Sequence, residues 1–354
     1  MFKLFQPWHR SILAIDINSS AVNLLQISKA GDHPCVEAYG HELLSASASD
    51  GYIINDVEAV AQCIKKLLGK SHLARQPVVL AVPDEAVISK IVQVKEVFND
   101  NQMEELVILE ANKHIPYPID KINLDFNVVG RSEKNSAFLD VLIVASRAEN
   151  INCRVEAIAR AGLEARVIDV ESYAIERAAQ HVLKHLIIKG QDKIIAMIEI
   201  DTHYTHLFIL HGLKMIFSRK EKLGGMQLTA SIAEHYNIAH TPFLIAKEVR
   251  TATIDYGIDL LSSFKEMVLL QLKRNFQIFY STSEHESLDH VFLTGGLAKH
   301  PGLADLIQEQ MLVSTSIVCP LSTMSISKKV NLEAINNEAP SLMVVCGLAL
   351  RSIE

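Results

Sequence analysis

The sequence lacks the features of several protein classes. Its 354 residues carry a formal net charge of −7, so the basic field that nucleic-acid binding usually needs is missing. No apolar run reaches the roughly 18 residues of a membrane-spanning helix, and the opening MFKLFQPWHR is too short and too polar for a secretory signal. The five cysteines are scattered and never spaced as CxxC, which argues against a disulfide framework or a zinc site and fits a cytoplasmic protein.

What is present predicts an α/β fold with about two domains' worth of chain. The first half is predicted to contain strands at 11–18, 22–28, 35–41, 78–82 and 165–170, with helices at 57–68, 148–161 and 173–186. Residues 88–146 are predicted to be an insertion of three strands and one helix that ends before Pro116. The second half is predicted to contain strands at 193–200, 205–210, 214–219 and 290–293, with helices at 227–236, 243–251, 260–283, 303–311 and 342–352.

A short internal repeat links the two halves. At an offset of 183 residues, an acid, an isoleucine, an Asn or Asp and a Ser or Thr recur in the segments Ile15-Asp16-Ile17-Asn18-Ser19-Ser20 and Ile198-Glu199-Ile200-Asp201-Thr202-His203. Both segments lie at the first turn of a predicted three-strand series. The sequence therefore predicts a duplicated β-rich unit.

Both turns have chemistry that suits phosphate binding. A tight turn directs backbone N–H groups toward phosphate oxygens, and small hydroxyls add donors. Asp16 and Glu199 are of the type that holds Mg²⁺ through water. The alternative for either turn is that the acid ends a strand and satisfies turn amides. A third element, LTGGLAKHPGL, runs from a strand into Gly295-Gly296 and then into a helix, which leaves room for a base or ribose.

These three elements resemble the actin-like ATPase superfamily of actin, Hsp70 and the sugar kinases. Within it, the chain is similar to the PilM family of cytoplasmic type IV pilus assembly proteins and more distantly to FtsA. The stretches that carry the resemblance include AIDINSSAVNLLQI, EANKHIPYPIDKINLDF, ARAGLEARVIDVES, EKLGGMQLTASIAEHYNI, FLTGGLAKHPGL and GLALR. The resemblance implies a duplicated actin-like ATPase fold, with two lobes around a nucleotide cleft and an FtsA-type inserted subdomain.

The resemblance also implies domain boundaries. They are a first-lobe core at 11–87, 147–190 and 341–354, an inserted subdomain at 88–146, a second-lobe core at 191–225 and 289–340, and a second-lobe helical subdomain at 226–288.

The implied cofactors are ATP and Mg²⁺. The residues that the resemblance assigns to them are Asp16, Asn18, Ser19 and Ser20 in a first phosphate loop, Glu199, Asp201, Thr202 and Thr205 in a second, the pair Gly224 and Gly225, Lys247, Glu248 and Arg250 near the ribose or base, and Gly295 and Gly296 in an adenosine turn. Asp16 and Glu199 would hold the metal through water.

The chain departs from the family at two of these positions, where glycine is usual. Asn18 and Asp201 are of the non-glycine types that best tolerate a positive φ, so the family's turn conformation is expected at both. Their side chains intrude where phosphate should lie. A nucleotide-binding protein with weak or no ATPase activity is therefore expected.

The partner that the resemblance implies is the cytosolic N-terminal tail of the inner-membrane protein PilN. The tail would lie in a groove between the first-half core and residues 88–146, and would place the protein at the inner membrane through its partner. The pilus motor ATPases, the platform protein and a second copy of the chain are further candidate partners. Two other functions stay open, a small-molecule kinase of the same superfamily and an FtsA-like membrane-associated filament protein. For the first, no acid is spaced as a kinase base; for the second, the linker and amphipathic anchor helix of an FtsA-like protein are not expected near Glu354.

Overall fold

The computed structural model describes residues 12–30, 33–45, 47–71, 73, 76–96, 99–133, 135–185, 192–228, 230 and 258–353. The described residues form two compact units. The first falls within Met1–Ile175, Met324–Val330 and Val344–Glu354, and the second within Glu176–Thr323 and Asn331–Met343. Most of the helix predicted at 227–236 and all of the helix predicted at 243–251 lie outside the described residues. None of the described helices combines the length and apolarity that a membrane crossing requires.

The first unit is built on a six-stranded sheet. Its strands are β1 (Leu13–Ile17), β2 (Ala21–Ala30), β3 (His33–Leu43), β4 (Pro77–Val82), β8 (Glu164–Val170) and β14 (Ser325–Ile326). They lie in the order β14-β3-β2-β1-β4-β8. The pairs β1–β2 and β2–β3 are antiparallel, whereas β1–β4, β4–β8 and β3–β14 are parallel. The predicted alternation of strands and helices is confirmed here.

Helices cover this sheet through apolar side chains at helical spacing. They include α1 (Val57–Ser71) and α3 (Ala148–Arg160). Helix α1 begins after Asp56, whose carboxylate accepts a 2.9 Å hydrogen bond from the Ala59 N–H. It runs past Gly69, where the sequence predicted its end. Lys70 in this added turn forms a 2.7 Å ion pair with Glu42 on β3.

The predicted insertion forms its own small sheet and core within the first unit. It contains β5 (Val87–Lys95), α2 (Asp100–His114), β6 (Ile122–Arg131) and β7 (Phe138–Arg147). The strand order is β5-β7-β6, with both pairs antiparallel. One face of this sheet packs with α2 around Val107 and Ile143. On the other face, Val144 joins the core of the six-stranded sheet, together with Ile151 and Ile168.

The second unit repeats the strand arrangement of the first. Its strands are β9 (Ile194–Ile200), β10 (Thr205–His211), β11 (Lys214–Glu221), β12 (His290–Thr294) and β13 (Thr315–Ile317). Their order is β11-β10-β9-β12-β13. As in the first unit, two antiparallel pairs are followed by two parallel pairs. The helices are α4 (Glu171–His185), which begins in the first unit, α5 (Ile258–Thr282), α6 (Leu303–Met311), α7 (Leu332–Glu338) and α8 (Met343–Leu350), which lies almost wholly in the first unit.

The internal repeat holds at the level of individual strand pairs. Asp16 lies opposite Asn23 in the first hairpin, and Glu199 lies opposite His206 in the second. Both hairpins are closed by one backbone hydrogen bond at the same place, Asn18 N–H to Ala21 O and Asp201 N–H to Tyr204 O. The duplicated β-rich unit predicted from the sequence is therefore confirmed.

Candidate functional site

In the first predicted phosphate loop, the side chain of Asn18 accepts hydrogen bonds from the backbone of the same turn. Asn18 follows β1, and its Oδ1 accepts hydrogen bonds from the backbone N–H groups of Ser20 at 2.9 Å and Ala21 at 2.8 Å. The Ser20 hydroxyl also lies 3.3 Å from this oxygen. The neighbouring Ser19 is buried. The Asn18 side chain thus accepts hydrogen bonds from two backbone N–H groups of the kind that would otherwise bind phosphate oxygens.

Asp16 is joined to a short polar chain across the first sheet. Its Oδ2 accepts from the Asn23 side chain at 3.2 Å, and the Asn23 oxygen lies 2.8 Å from Nδ1 of His41. Asp16 is only 5% exposed. Its carboxylate is therefore held at the end of β1 by a neighbour on β2.

The second loop converges with the two glycine elements that the sequence singled out. The carbonyl oxygens of Asp201 and Thr202 accept hydrogen bonds from the N–H groups of Gly225 and Met226, at 2.9 and 2.7 Å. A Cβ on Gly224 would come within 2.4 Å of the Asp201 carbonyl oxygen. Glycine is required at Gly224 because two backbone segments are in contact there.

The turn after β12 joins the same cluster. Gly295 has φ +90, and a Cβ there would lie 2.6 Å from the carbonyl oxygen of Ile200. Its N–H donates to the Pro340 carbonyl oxygen at 2.9 Å. The N–H of Gly296 donates to the Asp201 carboxylate at 2.7 Å. The structure therefore brings Asp201, Thr202, Gly224, Gly225, Gly295 and Gly296 together in the second unit.

The remaining assigned residues have different surroundings. Thr205 is fully buried, and its hydroxyl donates to the Leu223 carbonyl oxygen at 2.7 Å. Glu199 is half-buried at the end of β9. The positions assigned near the ribose or base lie outside the described residues, and they are Lys247, Glu248 and Arg250.

The expected positive φ at Asn18 and Asp201 is wrong. Among the described residues other than glycine, a positive φ occurs at Leu213 and Leu312. Asn18 keeps an ordinary backbone conformation with its side chain accepting amides of its own turn, whereas the Asp201 side chain accepts the Gly296 N–H of the turn after β12.

The described residues also contain no group of three or more His, Cys, Asp or Glu side chains that could hold a metal ion. A magnesium ion at Asp16 or Glu199 would need water for most of its ligands.

A pocket lies between the insertion and the core of the first unit, where the sequence predicted a groove without identifying the residues that line it. Its volume is about 240 Å³. One wall comes from α2, with Val107 and Ile108, and another from β8 and α3, with Ile168 and Ile151. Five consecutive residues of β6, Ile122–Phe126, complete it. The walls are mainly apolar, with the carboxylates of Glu104 and Asp125 among them.

A second, smaller pocket adjoins the first and contains a buried amide. It shares Val87, Ile122 and Ser146 with the first pocket and is also lined by Asn150. Asn150 is 5% exposed, and its Nδ2 has no hydrogen-bond partner. A buried donor of this kind normally has an acceptor.

The buried Arg154 lies on the same helix as Asn150, α3, and anchors this helix to the core of the first unit. Arg154 is 1% exposed. It donates to the carbonyl oxygens of Asn150 at 3.0 Å, Ala81 at 3.2 Å and Tyr52 at 3.3 Å. Burial lowers the pKa of its guanidinium. The arginine therefore fixes the backbone that carries Asn150 against β4 and the loop before α1.

The two sheets share the order and direction of five strands. Together with the matched hairpin registers and the glycine turns after β11 and β12, this defines a duplicated actin-like ATPase fold. The chain belongs to the family of type IV pilus assembly proteins PilM, whose sequence model matches residues 14–353. It resembles the solved PilM–PilN type IV pilus biogenesis complex at 28% identity, with a TM-score of 0.79, over 98% of this chain and 99% of that chain.

Two further solved structures resemble the chain at lower identity. The ethanolamine utilization protein EutJ from Carboxydothermus hydrogenoformans matches at 15% identity, with a TM-score of 0.57, over 99% of this chain and 92% of that chain. MreB5 of Spiroplasma citri, solved with AMPPNP bound, matches at 13% identity, with a TM-score of 0.48, over 96% of this chain and 95% of that chain.

Proposed function

We propose that the chain is a scaffold of the type IV pilus assembly machinery that binds the N-terminal cytosolic tail of a PilN-type protein. The observation that carries the proposal is the pocket between the insertion and the core of the first unit. It lies where the groove for this tail was expected. The family of the chain and the PilM–PilN complex that it resembles support the same partner.

The chemistry of the pocket suits a short apolar peptide that carries a positive charge. Ile108, Ile119 and Leu124, which line the pocket and are partly exposed, offer apolar surface to aliphatic side chains. Glu104 and Asp125 offer carboxylates to a lysine, an arginine or the terminal amine. Asn150 offers an amide donor to a peptide carbonyl group. Bound in this way, the tail would hold the protein at the inner membrane and connect it to the pilus platform and motors.

A pair of neighbouring substitutions on α2 tests this proposal. Ile108 lines the pocket, whereas Leu109 is 57% exposed and does not line it. We expect Ile108→Glu to weaken binding of a synthetic PilN tail by at least about tenfold, because it places a charge in an apolar wall. Leu109→Glu adds the same charge to the same helix and should leave the affinity unchanged. Calorimetric titration measures both, and equal affinities of the two variants would refute the pocket as the tail site.

The proposal includes Mg·ATP as a conformational ligand rather than as a rapidly hydrolysed substrate, with each hairpin turn as a candidate contact for phosphate. Asp16 and Glu199, at matching register positions, would hold Mg²⁺ through water. Bound nucleotide would supply negative oxygens for the turn amides. The Asn18 side chain already accepts two amides of the first turn, and the Asp201 carboxylate accepts the Gly296 amide of the glycine turn, so a phosphate must displace both side chains to use these amides. We therefore expect weak binding and weak or no hydrolysis.

Calorimetry with nucleotide-stripped protein tests this second part. Wild-type protein should bind Mg·ATP weakly, and the double variant Asn18→Gly with Asp201→Gly should bind it more tightly. A titration with the tail, with and without Mg·ATP, then measures whether the two ligands are coupled. If the affinity for the tail is the same with and without Mg·ATP, the protein is a constitutive adaptor whose binding does not respond to nucleotide.

A further inference from the structure

The shape of the pocket identifies which part of the insertion faces a bound segment. Successive side chains of a strand alternate between the two faces of a sheet. The pocket nevertheless contacts five consecutive residues, Ile122–Phe126, and has walls from α2 on one face and from α3 and β8 on the other. A pocket that reaches both faces of a sheet must lie along its edge. The free edge of β6 therefore lines it.

The strand pairing shows which backbone groups point into the pocket. The N–H of Ser132 donates to the Phe138 carbonyl oxygen at 2.9 Å. Alternation along β7 then places Val144 and Ser146 in hydrogen-bonded pairs with Asp125 and Asn123. The residues between them on β6, Leu124 and Phe126, direct their N–H and C=O groups away from β7.

An independent contact agrees with this alternation. The N–H of Phe126 donates to the carboxylate of the preceding residue, Asp125, at 2.9 Å. The Phe126 N–H could not form this hydrogen bond if it pointed toward β7. A charged side chain folded over an edge amide is a common protection against unwanted strand pairing. In the described part of the chain, β6 pairs with β7 and with no other strand.

We propose that the partner segment binds as an additional, extended strand on the edge of β6, hydrogen-bonded to the backbone of Leu124 and Phe126. This inference rests on the proposed function and specifies its binding mode. Strand addition supplies affinity through the main chain and selectivity through pockets for alternate side chains. Asp125 leaves the Phe126 N–H when the segment binds.

The two walls then determine the pattern of the segment. One set of its side chains faces Ile108 on α2, and the other faces Ile151 on α3. Because both walls are apolar, consecutive residues of the segment are apolar, as in strands covered on both faces. An amphipathic strand that alternates apolar and charged residues would not fit.

Amide hydrogen exchange by NMR tests the inference on the unmodified chain. On addition of a synthetic PilN tail, exchange at Leu124 and Phe126 should slow by at least about tenfold. Asn123 and Asp125, which already donate to β7, should change little. A tail that binds while Leu124 and Phe126 exchange as before would overturn strand addition and leave the proposed function standing. Absence of binding would overturn both.

Substitution of Leu124 gives a second test on the protein side. Leu124→Pro removes the outward N–H, and proline is tolerated where an edge strand directs its N–H away from the sheet. Leu124→Ala removes the same apolar side chain and keeps the N–H. Leu124→Pro should bind the tail about fivefold more weakly than Leu124→Ala. Equal affinities, with equal unfolding midpoints, would contradict the inference.

Discussion

The carboxylate of Asp201 accepts a hydrogen bond from the backbone N–H of Gly296, with Oδ1 and N 2.7 Å apart. The two residues are 95 positions apart in the chain and lie in turns that follow β9 and β12, which are parallel neighbours. The contact ties the second hairpin turn to the glycine turn. It also gives a negatively charged acceptor to an amide of a turn that was expected to face nucleotide.

Removal of this acceptor should destabilise the second unit. We expect Asp201→Ala to lower the free energy of unfolding by about 2 kcal/mol, since a hydrogen bond to a charged group is lost and the Gly296 N–H is left without its acceptor. Asp201→Asn keeps an acceptor oxygen and should cost less than half as much. Urea denaturation of both variants measures the difference. Equal losses would mean that the charge, and not the acceptor, stabilises the turn.

Sequence patterns were sufficient for the repeated sheet and for the insertion. Alternating apolar residues and turn residues located every strand of both hairpin series, and the offset between Asp16 and Glu199 predicted their equivalent register. Local hydrogen bonds and side-chain periodicity determine such elements. The short strands β13 and β14 and the short helix α7 were missed, because their positions depend on contacts with residues far along the chain, as when Ser325 pairs with Cys35.

The details of the site depend on side-chain partners that no local pattern encodes. The residue types at Asn18 and Asp201 suggested a positive φ, whereas the hydrogen bonds that these side chains form decide the backbone conformation. The pocket was expected between the insertion and the core, but Asn150 was not singled out. Its only sequence signal is a polar residue on the buried face of α3, which also carries Ile151, Arg154 and Ile158.

Alanine substitutions at two glycines with a left-handed backbone conformation distinguish the free-energy cost of backbone strain from that of close packing. Gly295 has φ +90 and lies against the backbone of Ile200, whereas Gly302 has φ +73 and its nearest neighbour is the flexible end of Lys265, 3.2 Å from a built Cβ. Gly302→Ala should cost about 1 kcal/mol from strain alone. Gly295→Ala should cost at least about 3 kcal/mol, because the backbone must also move. Thermal unfolding of both variants checks the order, and equal midpoints would contradict the packing argument.

His206 should make the stability of the chain fall in mild acid. It is fully buried on β10, 2.7 Å from the Ser218 hydroxyl, and burial, with a smaller effect of Lys220, holds its pKa well below the ordinary value of 6.5. Below about pH 6.5 the unfolded chain takes up a proton that the folded chain does not. The free energy of unfolding therefore falls as the pH drops, by up to about 1.4 kcal/mol per pH unit for this group.

A pair of histidine variants isolates this contribution. Urea denaturation at about pH 7.5, 6.5 and 5.5 should show a shallower acid loss in His206→Gln than in wild type. His33→Gln removes an exposed histidine and should keep the wild-type slope. The same slope in all three proteins would mean that His206 is protonated without cost in the folded state.

Replacement of Asn150 should change stability and tail binding in opposite directions. In the free chain its Nδ2 has no partner at 5% exposure, so Asn150→Leu, a change of similar volume, should raise the free energy of unfolding by about 1 kcal/mol. The same substitution removes the donor that we assign to a peptide carbonyl group, and should weaken tail binding by about fivefold. Asn275→Leu is the matched control, because Asn275 is buried in the second unit with an Nδ2 that likewise has no hydrogen-bond partner, while its Oδ1 accepts a 3.0 Å hydrogen bond from Arg219. It should lower stability and leave tail binding unchanged. If Asn150→Leu instead lowers the free energy of unfolding, the Asn150 amide has a partner within the free protein and is not the donor that we assign to the ligand.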